Sequence, residues 1–135
     1  MESIRAVDIH LLDLRYAHTR VLNPSAFRRL RDSIEIHGQI VPAMVVKEGE
    51  RLVLIDGYLR VRALSACGRD QALINVSQEN EPNALFSLLV KSGERPWEPI
   101  EQAVLLQEMH RRFGYSLGHI AVRLGRDKSF VKRRL

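Results

Sequence analysis

The spacing of hydrophobic and polar positions changes along this chain, and the change predicts two regions of different structure. The first part contains four short apolar runs that suit β-strands, at residues 7–14, 43–46, 52–55 and 72–76. From residue 84 onwards the apolar positions recur every three or four residues, which is typical of amphipathic helices. We therefore predict an α+β fold, with a small sheet-and-helix domain over residues 1–80 and an all-α domain over residues 81–135.

Two helices are predicted between the strands of the first region. Asn23 can cap a helix and Pro24 is favoured at its first position, while Gly38 is a typical residue for its end. The apolar positions Phe27, Leu30 and Ile34 give this helix one buried face. Residues 47–51 predict a hairpin turn. A second helix is predicted over residues 58–66, with Leu59, Ala63 and Ala66 on one side.

Four helices are predicted in the second region. The first carries the apolar stripe of residues 84–89 and ends at Ser92-Gly93. The second begins near Pro99 and runs until Gly114. The third covers residues 117–124 after the capping residue Ser116. Asp127 can cap the fourth.

The last two helices have the spacing of a DNA-binding helix-turn-helix. Ala121 is small enough for a close helix crossing, Gly125 suits a turn with positive φ, and Val131 faces back towards the first helix. In this interpretation the second helix reads DNA, with Ser129, Lys132 and Arg133 giving specificity and Arg126, Lys128 and Arg134 contacting phosphates. The alternative is an ordinary pair of helices with a glycine turn and a cationic surface.

The distribution of charge raises the odds of the DNA-binding interpretation. The chain has a formal net charge of +5, and residues 96–135 hold 8 Lys/Arg against 4 Asp/Glu. Five of those cations lie in the last ten residues. A localised basic patch is typical of proteins that bind a phosphate backbone, although a solvated basic tail has the same composition.

Composition also limits the class of protein. No apolar run is long enough for a membrane span and no signal peptide is evident, so we expect a cytoplasmic, nucleoid-associated protein. The lone Cys67 fits a reducing compartment. None of the five histidines pairs with another at metal-ligand spacing, and we predict neither a metal site nor a catalytic residue set.

A second candidate site follows the strand at residues 52–55. Gly57 leads from this strand into a helix, and a helix N-terminus favours anions. We expect Arg60 to face a bound anion and Arg62 to point elsewhere, since residues two apart do not share a helix face. From the residues alone, a plain strand-to-helix turn with two solvated arginines is the favoured interpretation.

Three segments, in this order and spacing, resemble the ParB partition family. Ser-Ile-x-x-x-Gly-Gln-x-x-Pro at residues 33–42 is similar to a conserved family segment, and residues 54–63 resemble the family's Gly-Glu-Arg-Arg-x-Arg-Ala box. Pro-Ile-Glu-Gln-Ala at residues 99–103 resembles the start of the helix before the family's helix-turn-helix. The same N-terminal fold is similar to that of sulfiredoxin, whose catalytic box is Gly-Cys-His-Arg. The corresponding residues of this chain are Gly57-Tyr58-Leu59-Arg60, which lack the nucleophilic cysteine. We interpret Cys67 as a buried structural thiol.

The resemblance implies a dimer that binds a specific DNA site in plasmid or chromosome partition or related regulation, with a ParA-type ATPase as a candidate partner. It also implies an alternative function, a CTP-dependent DNA clamp that holds CTP and Mg²⁺ with Gly57, Arg60 and Arg62. The chain departs from the family box at Tyr58 and Leu59. The family's Glu-Asn-x-x-Arg element is represented only by Lys91 and Arg95. These departures argue against CTP hydrolysis more than against CTP binding. The chain stops within the predicted recognition helix, so we also expect it to be part of a longer protein.

Overall fold

The computed structural model describes residues 3–90, 99–126 and 128–134. The chain divides into two compact units, residues 1–81 and residues 82–135. The first combines strands and helices, and the second is helical in its described part. No helix within the described ranges is long and apolar enough to cross a membrane.

The first unit is built on a mixed five-stranded sheet with the strand order β1-β5-β3-β4-β2. The pairs β1–β5 and β3–β4 are antiparallel, whereas β3–β5 and β2–β4 are parallel. The strands are β1 (Ser3–Asp8), β2 (Leu12–Asp13), β3 (Ala43–Glu48), β4 (Arg51–Asp56) and β5 (Gln71–Ser77). The predicted hairpin is confirmed, since β3 and β4 are adjacent and joined through Gly49 and Glu50.

Two helices, α1 (Pro24–His37) and α2 (Tyr58–Ala66), contribute to the core of this unit. The Asn23 side chain accepts a hydrogen bond from the Ala26 N–H, and Gly38 ends α1 with a φ of 71°, as predicted. One core cluster joins Val61 of α2 to sheet residues that include Val45, Leu54 and Ile74. A second joins Ile34 of α1 to Ala63, Leu64 and Ala72, with Phe27 and Leu30 packed against it.

Two details of the first unit differ from the predictions. The strand predicted over residues 7–14 is wrong, because β1 ends at Asp8 and a 3₁₀ turn (Ile9–Leu11) separates it from β2. The predicted face of α2 is also wrong in part. Its buried residues are Val61, Ala63 and Leu64, because the helix is wedged between the sheet and α1 and buries more than one stripe.

The second unit contains α3 (Glu81–Val90), whose first residue still belongs to the first unit, together with α4 (Pro99–Phe113), α5 (Leu117–Leu124) and α6 (Lys128–Arg134). The side chain of Ser116 accepts a hydrogen bond from the His119 N–H and caps α5, as predicted. The deeply buried apolar residues of the second unit include Leu105, Leu106, Met109, Ile120 and Val131. The predicted helix end at Ser92-Gly93 and the predicted cap at Asp127 lie outside the described residues.

Candidate functional site

The turn between α5 and α6 is held by its own backbone. Gly125 adopts a left-handed conformation with a φ of 66°, where L-residues with a side chain are disfavoured. Its N–H donates to the carbonyl of Val122, and the N–H of Arg126 donates to the carbonyl of Ala121 over 2.9 Å. These bonds reverse the chain within a few residues, so α6 begins directly after the turn.

Small and apolar residues close the space between α5 and α6. Ala121 is 3% exposed, and Ile120 and Val131 are fully buried. Val131 is the first buried residue of α6, and its neighbours Lys132 and Phe130 are exposed and half-buried, respectively. The spacing of Ala121, Gly125 and Val131 in the sequence thus corresponds to a turn followed by a helix that buries Val131 and exposes its polar residues.

The predicted DNA-binding residues lie on α6 or in the turn before it. Lys128, Ser129, Lys132 and Arg133 are exposed on the helix, and Arg126 is exposed in the turn before it. Arg134 is the last residue of the helix, and its side chain lies outside the described part of the structure. The structure therefore brings five of the six residues to one short stretch of exposed surface.

Phe130 is a residue of this stretch that the sequence interpretation missed. The guanidinium carbon of Arg126 lies 4.6 Å from the centroid of the Phe130 ring, which is a cation–π distance. Helical spacing could not have predicted this contact, because Arg126 lies in the turn before α6 and not on the helix itself.

Other cations of the second unit are committed to internal contacts. Arg112 forms an ion pair with Glu108 one helical turn away, over 3.2 Å. Arg123 stacks over Phe86 at 4.3 Å and donates to the side-chain oxygen of Asn83 over 2.8 Å. Neither residue was among the predicted DNA contacts.

Four rings pack together near these cations. Tyr115 stacks on His119 with ring centroids 4.5 Å apart and nearly parallel planes, and Phe86 and Phe113 pack against Tyr115. His110 bonds through Nδ1 to the Tyr115 carbonyl oxygen. Because Tyr115 contacts three neighbouring rings, we interpret it as a packing residue of the second unit.

The second candidate site, the turn from β4 into α2, depends on a glycine for two reasons. Gly57 has a φ of 105°, and a Cβ atom there would lie 2.8 Å from the Cβ of Ala43 on the neighbouring strand. Real Cβ atoms do not approach so closely, so a side chain is excluded by packing as well as by conformation. The glycine of the box therefore has a structural reason that is independent of any ligand.

The two arginines of this box differ in their surroundings. Arg60 is half-buried, and its Nη1 atom would lie 3.5 Å from a Cβ placed on Gly57. Arg62 is exposed on another face of α2. The expectation that Arg60 faces the turn agrees with this placement, and its contact with an anion stays a prediction.

Tyr58, the residue that departs from the family box, is used inside the first unit. Its hydroxyl donates to the carbonyl of Leu54 over 2.8 Å and accepts from the N–H of Tyr16 over 3.1 Å. Burial raises the pKa of the Tyr58 phenol, which keeps the hydroxyl protonated at neutral pH. The side chain thus fastens the segment after β2 to the end of β4.

A charged cluster lies next to this hydroxyl. Arg15 contacts the carboxylates of Asp13 at 2.7 Å and Glu81 at 3.2 Å, and the hydroxyl of Tyr16 donates to Glu81. Tyr16 and Glu81 are buried, at 1% and 5% exposure. The hydrogen bond from Arg15 holds the pKa of Asp13 below its usual range. No local pattern in the sequence predicts this cluster, since Arg15 and Glu81 are 66 residues apart.

Two further expectations concern single side chains. Cys67 is half-buried, and its Sγ atom donates to the carbonyl of Arg31 over 3.5 Å, so the prediction of a buried structural thiol is wrong in its degree of burial. The family element expected at Lys91 and Arg95 lies outside the described residues. Among the residues that are described, no group of three or more His, Cys, Asp or Glu side chains could hold a metal ion.

Comparison with known sequences assigns the whole first unit and the residues that follow it to a family. The model of the ParB N-terminal domain family matches residues 1–93. A probable chromosome-partitioning protein ParB from Pseudomonas putida is 28% identical over 119 residues, which is 87% of this chain and 41% of that protein. A nucleoid occlusion protein from Halalkalibacterium halodurans is 22% identical over 142 residues, which is 100% of this chain and 50% of that protein. The chain thus spans about half the length, or less, of these relatives.

Comparison with solved structures agrees on the fold. C-terminally truncated ParB from Caulobacter crescentus, complexed with CTP-gamma-S, gives a TM-score of 0.56 at 18% identity, over 98% of this chain and 76% of that one. The same protein complexed to the centromeric parS site gives 0.53, at 18% identity and over 96% and 69%. Sulfiredoxin from Arabidopsis thaliana gives 0.54 at 19% identity, over 57% and 86%. The sheet-and-helix unit therefore has the ParB/sulfiredoxin-like fold.

Proposed function

The chain belongs to the ParB N-terminal domain family, and from this we propose that it binds a specific duplex DNA site in chromosome or plasmid partition or related regulation. The proposal assigns α5 and α6 to a helix-turn-helix whose second helix enters the major groove. The relatives support it, since they include chromosome-partitioning and nucleoid occlusion proteins, and one ParB structure contains its centromeric parS site.

The observation that carries the proposal is the exposed cationic surface of α6. Val131 of this helix and Ala121 of α5 are buried, whereas Lys128, Lys132 and Arg133 are exposed within the same short helix. A short helix that presents clustered cations after a tight glycine turn suits the phosphates and base edges of a groove. In this proposal Ser129, Lys132 and Arg133 contact bases, and Arg126, Lys128 and Arg134 contact phosphates.

Two copies acting on one site would require a symmetric DNA sequence, with half-sites separated by about one helical turn or a multiple of it. We therefore propose a homodimer on DNA within the nucleoid and a ParA-type ATPase as a further partner. A site selected from a random duplex library tests the first point, because a dimer would enrich an inverted repeat and a monomer a single element.

The double variant Lys132→Ala/Arg133→Ala tests the role of α6. On the selected duplex we expect its affinity to fall by about 100-fold, since good base contacts contribute about 1–3 kcal/mol each. Fluorescence anisotropy with a labelled duplex measures the loss. The control is Arg28→Ala/Arg29→Ala, which removes the same charge from exposed positions of α1 and should change affinity by less than about threefold. Equal losses in the two variants would contradict the proposal.

A second function is favoured by the Gly57 turn, and we propose it as an accompanying activity. Gly57 has no side chain to cap α2, and the N-terminus of that helix, a place that favours anions, lies beside the Arg60 guanidinium. The relative solved with CTP-gamma-S makes CTP with Mg²⁺ the ligand to test. The proposal is that Gly57, Arg60 and Arg62 bind CTP. It does not include CTP hydrolysis, because Tyr58 stands where the family box has Glu.

Calorimetry with CTP and Mg²⁺ distinguishes the roles of the two arginines. We expect micromolar binding that ATP and GTP do not reproduce, a loss of at least about tenfold in Arg60→Ala because a charged phosphate contact is removed, and a smaller loss in Arg62→Ala. Arg62→Ala shows how much each arginine contributes, since it removes the same charge from the exposed face of the same helix. Unchanged CTP affinity in Arg60→Ala would exclude the pocket.

A further inference from the structure

Both the backbone and an aromatic ring determine where Arg126 lies. Its N–H donates to the carbonyl of Ala121, and its guanidinium carbon lies 4.6 Å from the centroid of the Phe130 ring. Arg126 is exposed, whereas Phe130 is half-buried next to the fully buried Val131. The second unit therefore partly encloses the Phe130 ring, and the Arg126 guanidinium lies against this ring.

We propose that Phe130 positions the Arg126 guanidinium for a phosphate of duplex DNA, a role that rests on the proposed DNA-binding function. A stack engages the flat face of a guanidinium, while its five N–H donors lie in the plane and point outward. Such a side chain loses less rotational freedom on binding than a freely moving arginine does. Phe130 thus strengthens DNA binding without touching DNA itself.

The other stacked arginine of the second unit shows why Arg126 is singled out. Arg123 lies at a similar distance from the Phe86 ring, 4.3 Å, but it also donates through Nη2 to Asn83 over 2.8 Å. Its donors are therefore partly committed within the protein. Arg126 lies directly before α6, beside the exposed Lys128, where a donor can extend the cationic surface of that helix.

Affinity measurements on the selected duplex test this role with five proteins: the wild type, Phe130→Leu, Phe130→Tyr, Arg126→Ala and the double variant Arg126→Ala/Phe130→Leu. We expect Phe130→Leu to bind about three- to fivefold more weakly, the range of an exposed cation–π contact. Phe130→Tyr keeps the ring face and should bind as the wild type does. The double variant should bind no more weakly than Arg126→Ala, because Phe130 acts through Arg126.

A readout that needs no DNA accompanies these measurements. In nuclear magnetic resonance spectra of the free protein, the side-chain protons of Arg126 should show an upfield ring-current shift that Phe130→Leu removes and Phe130→Tyr retains. Arg126→Lys covers the case in which Phe130→Leu fails to fold. It leaves the anchored ring in place and keeps the charge but loses the planar stack, so it should also bind about threefold more weakly.

The outcomes separate this role from the function on which it rests. A wild type that binds no duplex DNA overturns both. A wild type that binds DNA together with unchanged affinity in Phe130→Leu, or with additive losses in the double variant, overturns the positioning role alone. An Arg126 side chain without a ring-current shift overturns the stack itself.

Discussion

Arg15 in the first unit and the cations of α6 in the second differ in what surrounds them. Arg15 is 17% exposed, with carboxylates of Asp13, Glu81 and Glu48 within 4 Å. Lys128, Lys132 and Arg133 are exposed on a helix that buries Val131. Charges of the first kind stabilise the fold, and charges of the second kind remain available to an anionic partner.

The comparison extends to the two glycine turns. Gly57 is packed against Ala43 and followed by Tyr58, whose hydroxyl joins two backbone segments. A Cβ at Gly125 would meet no atom within 4 Å, so its positive φ alone matters. We therefore expect substitutions around Gly57 to change stability first, and substitutions around Gly125 and α6 to change binding first.

The largest expected effect on stability is that of Glu81→Ala. This change leaves the Arg15 guanidinium and the Tyr16 hydroxyl without their buried partner, and it should lower the free energy of unfolding by about 3 kcal/mol. Urea unfolding at pH 7 measures it. Glu48→Ala is the control, because its carboxylate is 57% exposed and 3.9 Å from Arg15, and it should cost less than about 1 kcal/mol. Equal costs would mean that the cluster does not stabilise the unit.

Gly57→Ala should come next, with a loss of about 2–3 kcal/mol. Part of it comes from the positive φ and part from the overlap with Ala43. Gly49→Ala separates the two contributions, since Gly49 has a φ of 61° but no atom within 4 Å of a new Cβ, and it should cost about 1 kcal/mol. Thermal or urea unfolding of both variants compares them, and equal losses would show that the contact with Ala43 is relaxed at no cost.

Tyr58→Phe should lower the free energy of unfolding by about 1–2 kcal/mol, because it removes one donor and one acceptor from a partly buried position. Hydrogen exchange gives a local readout, since the Tyr16 amide loses its acceptor and should exchange faster. Tyr115→Phe is the control, because it keeps the ring that stacks on His119. Unchanged exchange at Tyr16 would show that the hydroxyl does not hold this segment.

The smallest expected effect is a dependence on pH. The pKa of Asp13 is depressed in the folded state by the hydrogen bond from Arg15, so its contribution is present above the unfolded pKa and is lost as pH falls through the folded value. Stability measured between pH 7 and pH 3 should therefore fall below about pH 4. The fall should be shallower in Asp13→Asn, and identical profiles would contradict this assignment.

The features that the sequence predicted correctly are local ones. Asn23, Gly38 and Ser116 end or begin helices through contacts with residues at most four positions away, so residue type and spacing suffice. The hairpin of β3 and β4 has the same basis, because its two strands are joined by two residues.

The features that the sequence missed depend on distant contacts. The motif at residues 33–42 includes Gln39 but predicts no contact for it. Its side-chain amide bonds to both the N–H and the carbonyl of Leu73, as a further strand residue would. The partners of Arg15 and the buried face of α2 depend in the same way on which elements meet. Spacing along a chain predicts a helix face but does not choose the neighbour of that face.

The salt dependence of DNA binding tests the central claim most directly. If Arg126, Lys128 and Arg134 contact phosphates, a plot of log affinity against log salt should have a slope of about −3 per bound copy, and Lys128→Ala should reduce it to about −2. Titration of the labelled duplex at four salt concentrations measures both slopes. A wild type without a salt-dependent affinity, or an unchanged slope in Lys128→Ala, would contradict the assignment of α6 to DNA.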